Sequence, residues 1–279
     1  MKIYDYILCS GSGNRFLLFD TLRSDLSGLN IAAFAAEELH RFGVDGLLLL
    51  TRDGRGRFGM RMFNTDGSEA EMCGNGIRCV AKYAYDKGLV DRTVFSIHTL
   101  AGDLEATVTL EDGEVGTVRI NMGAPILDGR KVPVDFDGRF IDQPFEADGV
   151  RFRANAVSMG NPHFITFTEM DDGTVDRLGP VLECHPFFPR KTNVEFCRVE
   201  DGKIYIRVYE RGAAWTLACG TGACASTTAA ALNGLVPFGV PVDVHLPGGW
   251  LKITVDKDLG YVLMEGPAEL VFEGETEAI

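Results

Sequence analysis

The chain has 279 residues, 46% of them hydrophobic, and a formal charge of −13, enough length and apolar content for about two domains with real cores. The acidity argues against nucleic acid or an anionic membrane surface as partner, because phosphate binding needs clustered Lys and Arg and no basic run exists. The start, Met1 to Tyr6, lacks the apolar stretch of a signal peptide, and nothing approaches the roughly 18 continuous apolar residues of a membrane span. A cytoplasmic protein is expected. Its seven cysteines are odd in number in a chain too large to need disulfide staples, which favours reduced thiols.

In chain order, the spacing of apolar residues predicts a helix over 31–42 with Asn30 as its cap. A second helix, over 76–88, follows Cys73-Gly74-Asn75-Gly76. Alternating or β-branched runs predict strands at 94–99, 104–110 and 115–121, the last two joined as a hairpin by Asp112-Gly113. The turn-rich segment 126–150 reads as a connector. Strands follow at 163–168, 194–199 and 203–209, with Asp201-Gly202 as another hairpin turn. An Ala-rich helix over 222–233 follows Cys219-Gly220-Thr221-Gly222 and stops at Asn233-Gly234. Strands at 242–246, 250–256 and 261–265 close the series.

The chain repeats itself. Gly13-Asn14 matches Gly160-Asn161, Met60–Asn64 matches Ile206–Glu210, Cys73 matches Cys219, and Gly123 loosely matches Gly266. Four pairings in one order, at an almost constant offset, indicate a duplicated domain. Each half is strand-rich, with a helix opened by a Cys-Gly motif.

The two Cys-Gly-x-Gly motifs carry the chemistry. Free N–H groups and the positive dipole end of a helix's first turn favour an anion, and a cysteine placed there is expected to have a lowered pKa and a reactive thiolate. The glycines let the backbone approach a ligand, so the same N–H groups can hold a carboxylate. Two such thiols on opposite sides of one carbon suit an epimerase or racemase. Zinc is disfavoured: Cys73/Cys79 and Cys219/Cys224 are spaced C-x5-C and C-x4-C, with the second cysteine inside the helix. Gly11-Ser12-Gly13-Asn14 lacks the ending of a phosphate loop. Core packing is the expectation for Cys9, Cys184 and Cys197. Asn64, Asn161, Asn193, Glu210 and Arg211 fall at strand ends or turns, where together they can serve a zwitterion. His163 reads equally as a proton exchanger or as a structural histidine.

Long ordered segments now resemble one family. GSGNRF (11–16), GVDGLLLL (43–50), FNTDGSEAEMCGNGIRC (63–79), VSMGNPH (157–163), TNVEF (192–196), YERG (209–212), ACGTGACA (218–225) and LPGG (246–249) are similar to diaminopimelate epimerase, of the cofactor-independent amino-acid racemase and epimerase superfamily. The resemblance implies an α/β fold of two pseudo-symmetric halves, each a β-barrel-like sheet wrapped on a central helix, with the site in the cleft between them. We expect the halves at 1–118, joined by 266–279, and at 119–265. It implies Cys73 and Cys219 as the acid/base pair, with His163 and Glu210 tuning the thiols. Asn14, Asn64, Asn161, Asn193, Glu210 and Arg211 would bind diaminopimelate, and the amides of Gly74-Asn75 and Gly220-Thr221 would hold the reacting carboxylate. The implied reaction interconverts the LL and meso forms for lysine and peptidoglycan precursors, without cofactor or metal. The only partner expected is the small amino acid, and a homodimer is left open.

One position departs from the family. Where it usually carries Gly-Glu before the Thr, this chain has Ala214-Trp215-Thr216. An indole there would reshape the pocket wall or a neighbouring loop. Two alternatives keep the scaffold: a racemase of another, histidine-like amino acid, and a non-catalytic amino-acid-binding protein.

Overall fold

The computed structural model describes residues 2–53 and 56–277. Two compact units divide the chain: Met1–Asn121 with Glu265–Ile279, and Met122–Met264. Met1 and residues 278 and 279 of the expected 266–279 segment lie outside the described residues. The fold is α/β and duplicated, and each unit sets its helices against a much larger area of sheet. No helix among the described residues is long and apolar enough to cross a membrane.

The first unit runs β1 (Ile3–Gly11), β2 (Asn14–Asp20), α1 (Ile31–Phe42), β3 (Gly46–Arg52), β4 (Phe58–Phe63), β5 (Glu69–Ala70), α2 (Gly74–Asp86), β6 (Val94–Thr99), β7 (Gly102–Glu111) and β8 (Glu114–Asn121). The second contains β9 (Gln143–Ala147), β10 (Val150–Ser158), β11 (Pro162–Thr166), α3 (Asp172–Glu183), β12 (Asn193–Glu200), β13 (Lys203–Glu210), β14 (Ala214–Thr216), α4 (Gly220–Leu232), β15 (Val242–Leu246), β16 (Gly249–Val255) and β17 (Val262–Gly266). The chain then returns to the first unit as β18 (Glu269–Glu277), antiparallel to β1.

The two units share a plan. A hairpin (β1–β2, or β10–β11) leads through an outer helix to a parallel neighbour (β3, or β12), and that strand pairs antiparallel with the next. The sheet of the first unit then encloses α2, which packs on β1, β2, β3, β4, β7, β8 and β18. In the second, α4 packs on β10, β11, β12, β13, β15 and β16. A helix surrounded in this way cannot keep a polar face, and nearly every residue of α4 from Gly222 to Ala231 is buried. Its alanines, serine and threonines are small enough for strands to close on all sides. The Thr227 and Thr228 hydroxyls donate to the carbonyls of Ala223 and Cys224, each at 2.8 Å, so neither is left unpaired.

The outer helices build the remaining cores. Phe34, Ala35 and Leu39 of α1 meet Tyr4, Phe19, Leu47 and Leu49. Val175, Leu178 and Leu182 of α3 meet Phe152, Phe164, Phe188 and Val194. Segment 126–150 is no connector: Val132, Val134, Phe140 and Ala147 enter this second core, and β9 lies within the segment. Its Gly and Pro residues mark turns between core contributions. The α3 helix escapes the sequence reading because Gly173, Gly179 and Pro180 interrupt its pattern, while Asp171 caps it by accepting from the Thr174 N–H at 2.9 Å. Strands β2 and β3 escape because Phe16–Phe19 and Leu47–Leu50 are buried throughout, leaving no alternation to read.

Phe164 is at the centre of the second core, with Phe145 and Phe188 rings at 4.9 and 4.8 Å. Phe164→Ala should cost about 3–5 kcal/mol, measured by denaturant unfolding.

Candidate active site

Each enclosed helix begins on a cysteine in extended conformation. Cys73 has φ −137° and ψ 115° and its Sγ accepts the Gly76 N–H at 3.4 Å; Cys219 has φ −127° and ψ 103° and accepts from Gly222 at the same distance. Sulfur thus takes the part usually played by a Ser or Asp cap. The second glycine of each motif is crowded by a neighbouring side chain. A Cβ on Gly76 would meet Leu48 Cδ2 at 2.8 Å, and one on Gly222 would meet Glu195 Oε1 at 2.8 Å and Cys219 Sγ at 3.2 Å. The thiol cap satisfies the third N–H of the turn. Those of Gly74-Asn75 and Gly220-Thr221 are left for another acceptor.

Beside the first cap, Asn75 Nδ2 donates to Asn14 Oδ1 at 2.6 Å. The Oδ1 of buried Asn75 has no hydrogen-bond partner among the described residues. Arg78, fully buried one turn further on, donates to Ser12 Oγ at 2.7 Å and to the carbonyls of Gly74 and Pro267 at 3.2 Å each. Asn64 is held in its own turn, its Nδ2 donating to Ser68 Oγ at 3.0 Å.

The second cap carries the matching contact, Asn161 Nδ2 to Thr221 Oγ1 at 3.2 Å. Thr221 Oγ1 lies 3.5 Å from Cys219 Sγ. His163 Nε2 stands 3.0 Å from Asn161 Oδ1, and its Nδ1 stands 2.6 Å from Glu195 Oε1. Glu210 accepts the Thr216 hydroxyl at 2.5 Å and bears on Cys219. Asn193 Nδ2 donates to the Pro162 carbonyl at 2.8 Å, and its Oδ1 accepts the Arg211 N–H at 2.9 Å. Arg211 itself is exposed and donates to the Arg190 carbonyl at 3.3 Å.

The charge around Cys219 reverses the expected direction of its titration. Burial first, then the charges of Glu210 and Glu195, push the thiol well above its ordinary range; the Thr221 hydroxyl and Gly222 N–H pull it back only in part. A helix N-terminus alone does not outweigh desolvation and two carboxylates. Glu210 is raised as well, chiefly by burial, against the lowering effect of Thr216, His163 and Cys219.

Glu195 was not among the residues expected at the site, although it lies two residues from Asn193 on β12 and so on the same face. Arg78 was missed too, and only its burial singles it out. Cys9 and Cys197 are buried as expected, but Cys184 ends α3 exposed to solvent, its Sγ 3.4 Å from Glu183. Among the described residues, one group of possible metal donors gathers: His163, Glu195 and Cys219, within 4.8 Å of one another. Its imidazole and carboxylate are already engaged with each other.

Trp215 faces away from this chemistry. In the β13–β14 register it stands opposite Tyr209, on the other side of the sheet from Glu210 and Thr216. Its indole packs at 5.2 Å from the Tyr209 ring, beneath the Arg207 guanidinium at 4.7 Å, and next to Gly179 of α3.

The duplicated fold is shared with solved structures of low sequence identity. A hydroxyproline epimerase from Agrobacterium vitis superposes with a TM-score of 0.71 at 15% identity, covering 99% of this chain and 91% of that one. A phenazine biosynthesis protein of the PhzF family from Bacillus anthracis gives 0.72 at 16%, covering both chains completely. The chain belongs to the diaminopimelate epimerase family, whose model matches residues 6–127 and 155–271. Diaminopimelate epimerase of Bacillus cereus (strain B4264) is 42% identical across 99% of this chain and 98% of its own. That of Methanococcus maripaludis (strain C5) is 44% identical across 96% and 97%. The protein is accordingly an isomerase.

Two outcomes follow from this geometry. In a Cys73→Ala background, Glu210→Gln removes a charge that opposes the Cys219 thiolate, so ultraviolet titration of that thiolate should move to lower pH. Trp215→Glu, made on the opposite face of the sheet, should change the isomerase rate by no more than about twofold, read in a progress-curve assay.

Proposed function

We propose that the protein interconverts LL- and meso-diaminopimelate by passing the α-proton between Cys73 and Cys219, without a cofactor. The observation that supports this reading most is the duplicated cap: two enclosed helices, each starting on a cysteine whose sulfur accepts the third N–H and leaves the first two without an acceptor in the turn.

One sulfur enters the cycle as thiolate and the other as thiol. The thiolate takes the α-proton, the Cα–H bond breaks, and the electron pair remains on the α-carbon and its carboxylate. The N–H groups of Gly74-Asn75 and Gly220-Thr221 stabilise the charge that accumulates there. The second thiol then delivers its proton to the opposite face, forming the new Cα–H bond. One proton has left and one has arrived, and the two sulfurs have exchanged protonation states. Asn14 and Asn161, which lie against the helix starts, hold the substrate's polar groups near the reacting centre. Asn64 and Arg211 serve its distal amino-acid end. Glu210 and His163 set the proton affinity of the second thiol, and Asn193 and Glu210 bind the substrate beside Arg211, whose N–H Asn193 accepts.

The test uses LL-diaminopimelate in deuterated water. Deuterium should appear at the α-carbon together with meso product, with no added cofactor. Cys73→Ala and Cys219→Ala should each lower turnover by about 1,000-fold or more. Full activity in either variant would remove the two-thiol mechanism, and an inert substrate would remove the assignment to diaminopimelate.

A further inference from the structure

The two units solve the same packing problem with different side chains behind their cysteines. In the first, Leu48 fills the space against Gly76, and Phe16 stands on the neighbouring strand. The duplication places Glu195 and His163 at the corresponding positions of the second, and Glu195 is what crowds Gly222. Both pairs are fully or almost fully buried, with His163 and Glu195 at 0% exposure. An apolar pair therefore suffices to build this corner of the fold. A buried imidazole and carboxylate are costly to desolvate, and replacing such a pair with well-packed apolar residues is commonly neutral or stabilising.

The cost here is visible. Oε2 of Glu195 is buried with no hydrogen-bond partner among the described residues. Such an orphan in a native protein calls for a role. The groups facing the pair are Cys219 on α4, Glu210 on β13 and Cys197 on β12, so no further cation is supplied by these elements.

The hydrogen bonds give the pair a direction. Asn161 Nδ2 donates to Thr221, so its Oδ1 is an acceptor, and His163 Nε2 must carry the proton between them. Nδ1 also faces an acceptor, Glu195 Oε1. Thr221 accepts from Asn161 and is therefore free to donate its own hydrogen toward Cys219 Sγ. Donors thus run in one sense, from His163 through Asn161 and Thr221 to the sulfur.

We infer that Glu195 is a positioning residue for the second thiol: by holding a proton on His163 Nδ1 it fixes the imidazole with Nε2–H toward Asn161, which orients the Asn161 amide and the Thr221 hydroxyl on Cys219. This inference rests on the reading that Cys219 moves the α-proton. Glu195 acts in this way through its hydrogen bond to His163, beside the direct effect of its charge on Cys219.

The test combines two variants with a spectroscopic readout. Glu195→Gln keeps the shape and removes the carboxylate, and kcat for α-deuterium exchange should fall about 100-fold while the thermal midpoint holds or rises. His163→Phe/Glu195→Leu copies the first unit's apolar pair, and it should fold with an equal or higher midpoint and show a similar or larger loss. Nitrogen-15 NMR of labelled histidine, assigned with His163→Gln, should show both His163 ring nitrogens protonated at neutral pH in the unaltered protein and only one in Glu195→Gln. Wild-type kcat in either folded variant would overturn the inference, as would a His163 with one bare nitrogen in the unaltered protein. The NMR result stands even if Glu195→Gln does not fold. Absence of exchange by the unaltered protein would instead overturn the epimerase reading, leaving the His163 protonation result to be judged separately.

Discussion

A helix enclosed by strands has no water with which to finish its first turn, and much of this structure follows from that constraint. Something in the protein must accept the third N–H, and here a cysteine sulfur does so in each unit. The cap fixes the sulfur's place. Side chains of the neighbouring strands, Leu48 in one unit and Glu195 in the other, then crowd the positions of Gly76 and Gly222. What remains are two N–H groups per helix with no acceptor in the turn, beside a nucleophilic atom. Free N–H donors and a thiol thus come together from the same local requirement.

Duplication then allowed the two copies to diverge electrostatically without changing the fold. The first has Phe16, Leu48 and Asn64 where the second has His163, Glu195 and Glu210. The backbone accommodates either set. A duplicated scaffold therefore surrounds its two thiols with chemically unequal neighbours. In the second unit, the usual lowering of a cysteine at a helix start loses to burial and neighbouring carboxylates.

Much of this was legible in the sequence, for physical reasons that can be named. The helix at 31–42 has both an asparagine cap and clear periodicity, and α1 covers those residues. The hairpin at Asp112-Gly113 announces itself because both residues take positive φ, which a tight strand turn demands. The Cys-Gly-x-Gly pair was visible because glycine is needed where helix and neighbour almost touch. Glu195 was hidden because one acidic residue in an apolar strand gives no sign of the strand beside it; only the parallel pairing of β11 and β12 brings His163 into reach. The direction of the Cys219 shift was also beyond a linear reading, since burial and the approach of two distant carboxylates are tertiary facts. Trp215 looked disruptive by its proximity in sequence, yet alternation along β14 turns it to the other face of the sheet.

The composition of α4 has a mechanical consequence. Between Gly222 and Ala231 the helix offers strands on every side only hydrogen, methyl, hydroxyl and thiol groups. Long side chains can change rotamer and let a helix slide or turn on its axis; this one has almost no such slack. Its seating is set by short side chains packed among the strands, as a rod is set by a close-fitting sleeve. The coordinates of the Cys219 sulfur are therefore held to the tolerance of the sheet itself.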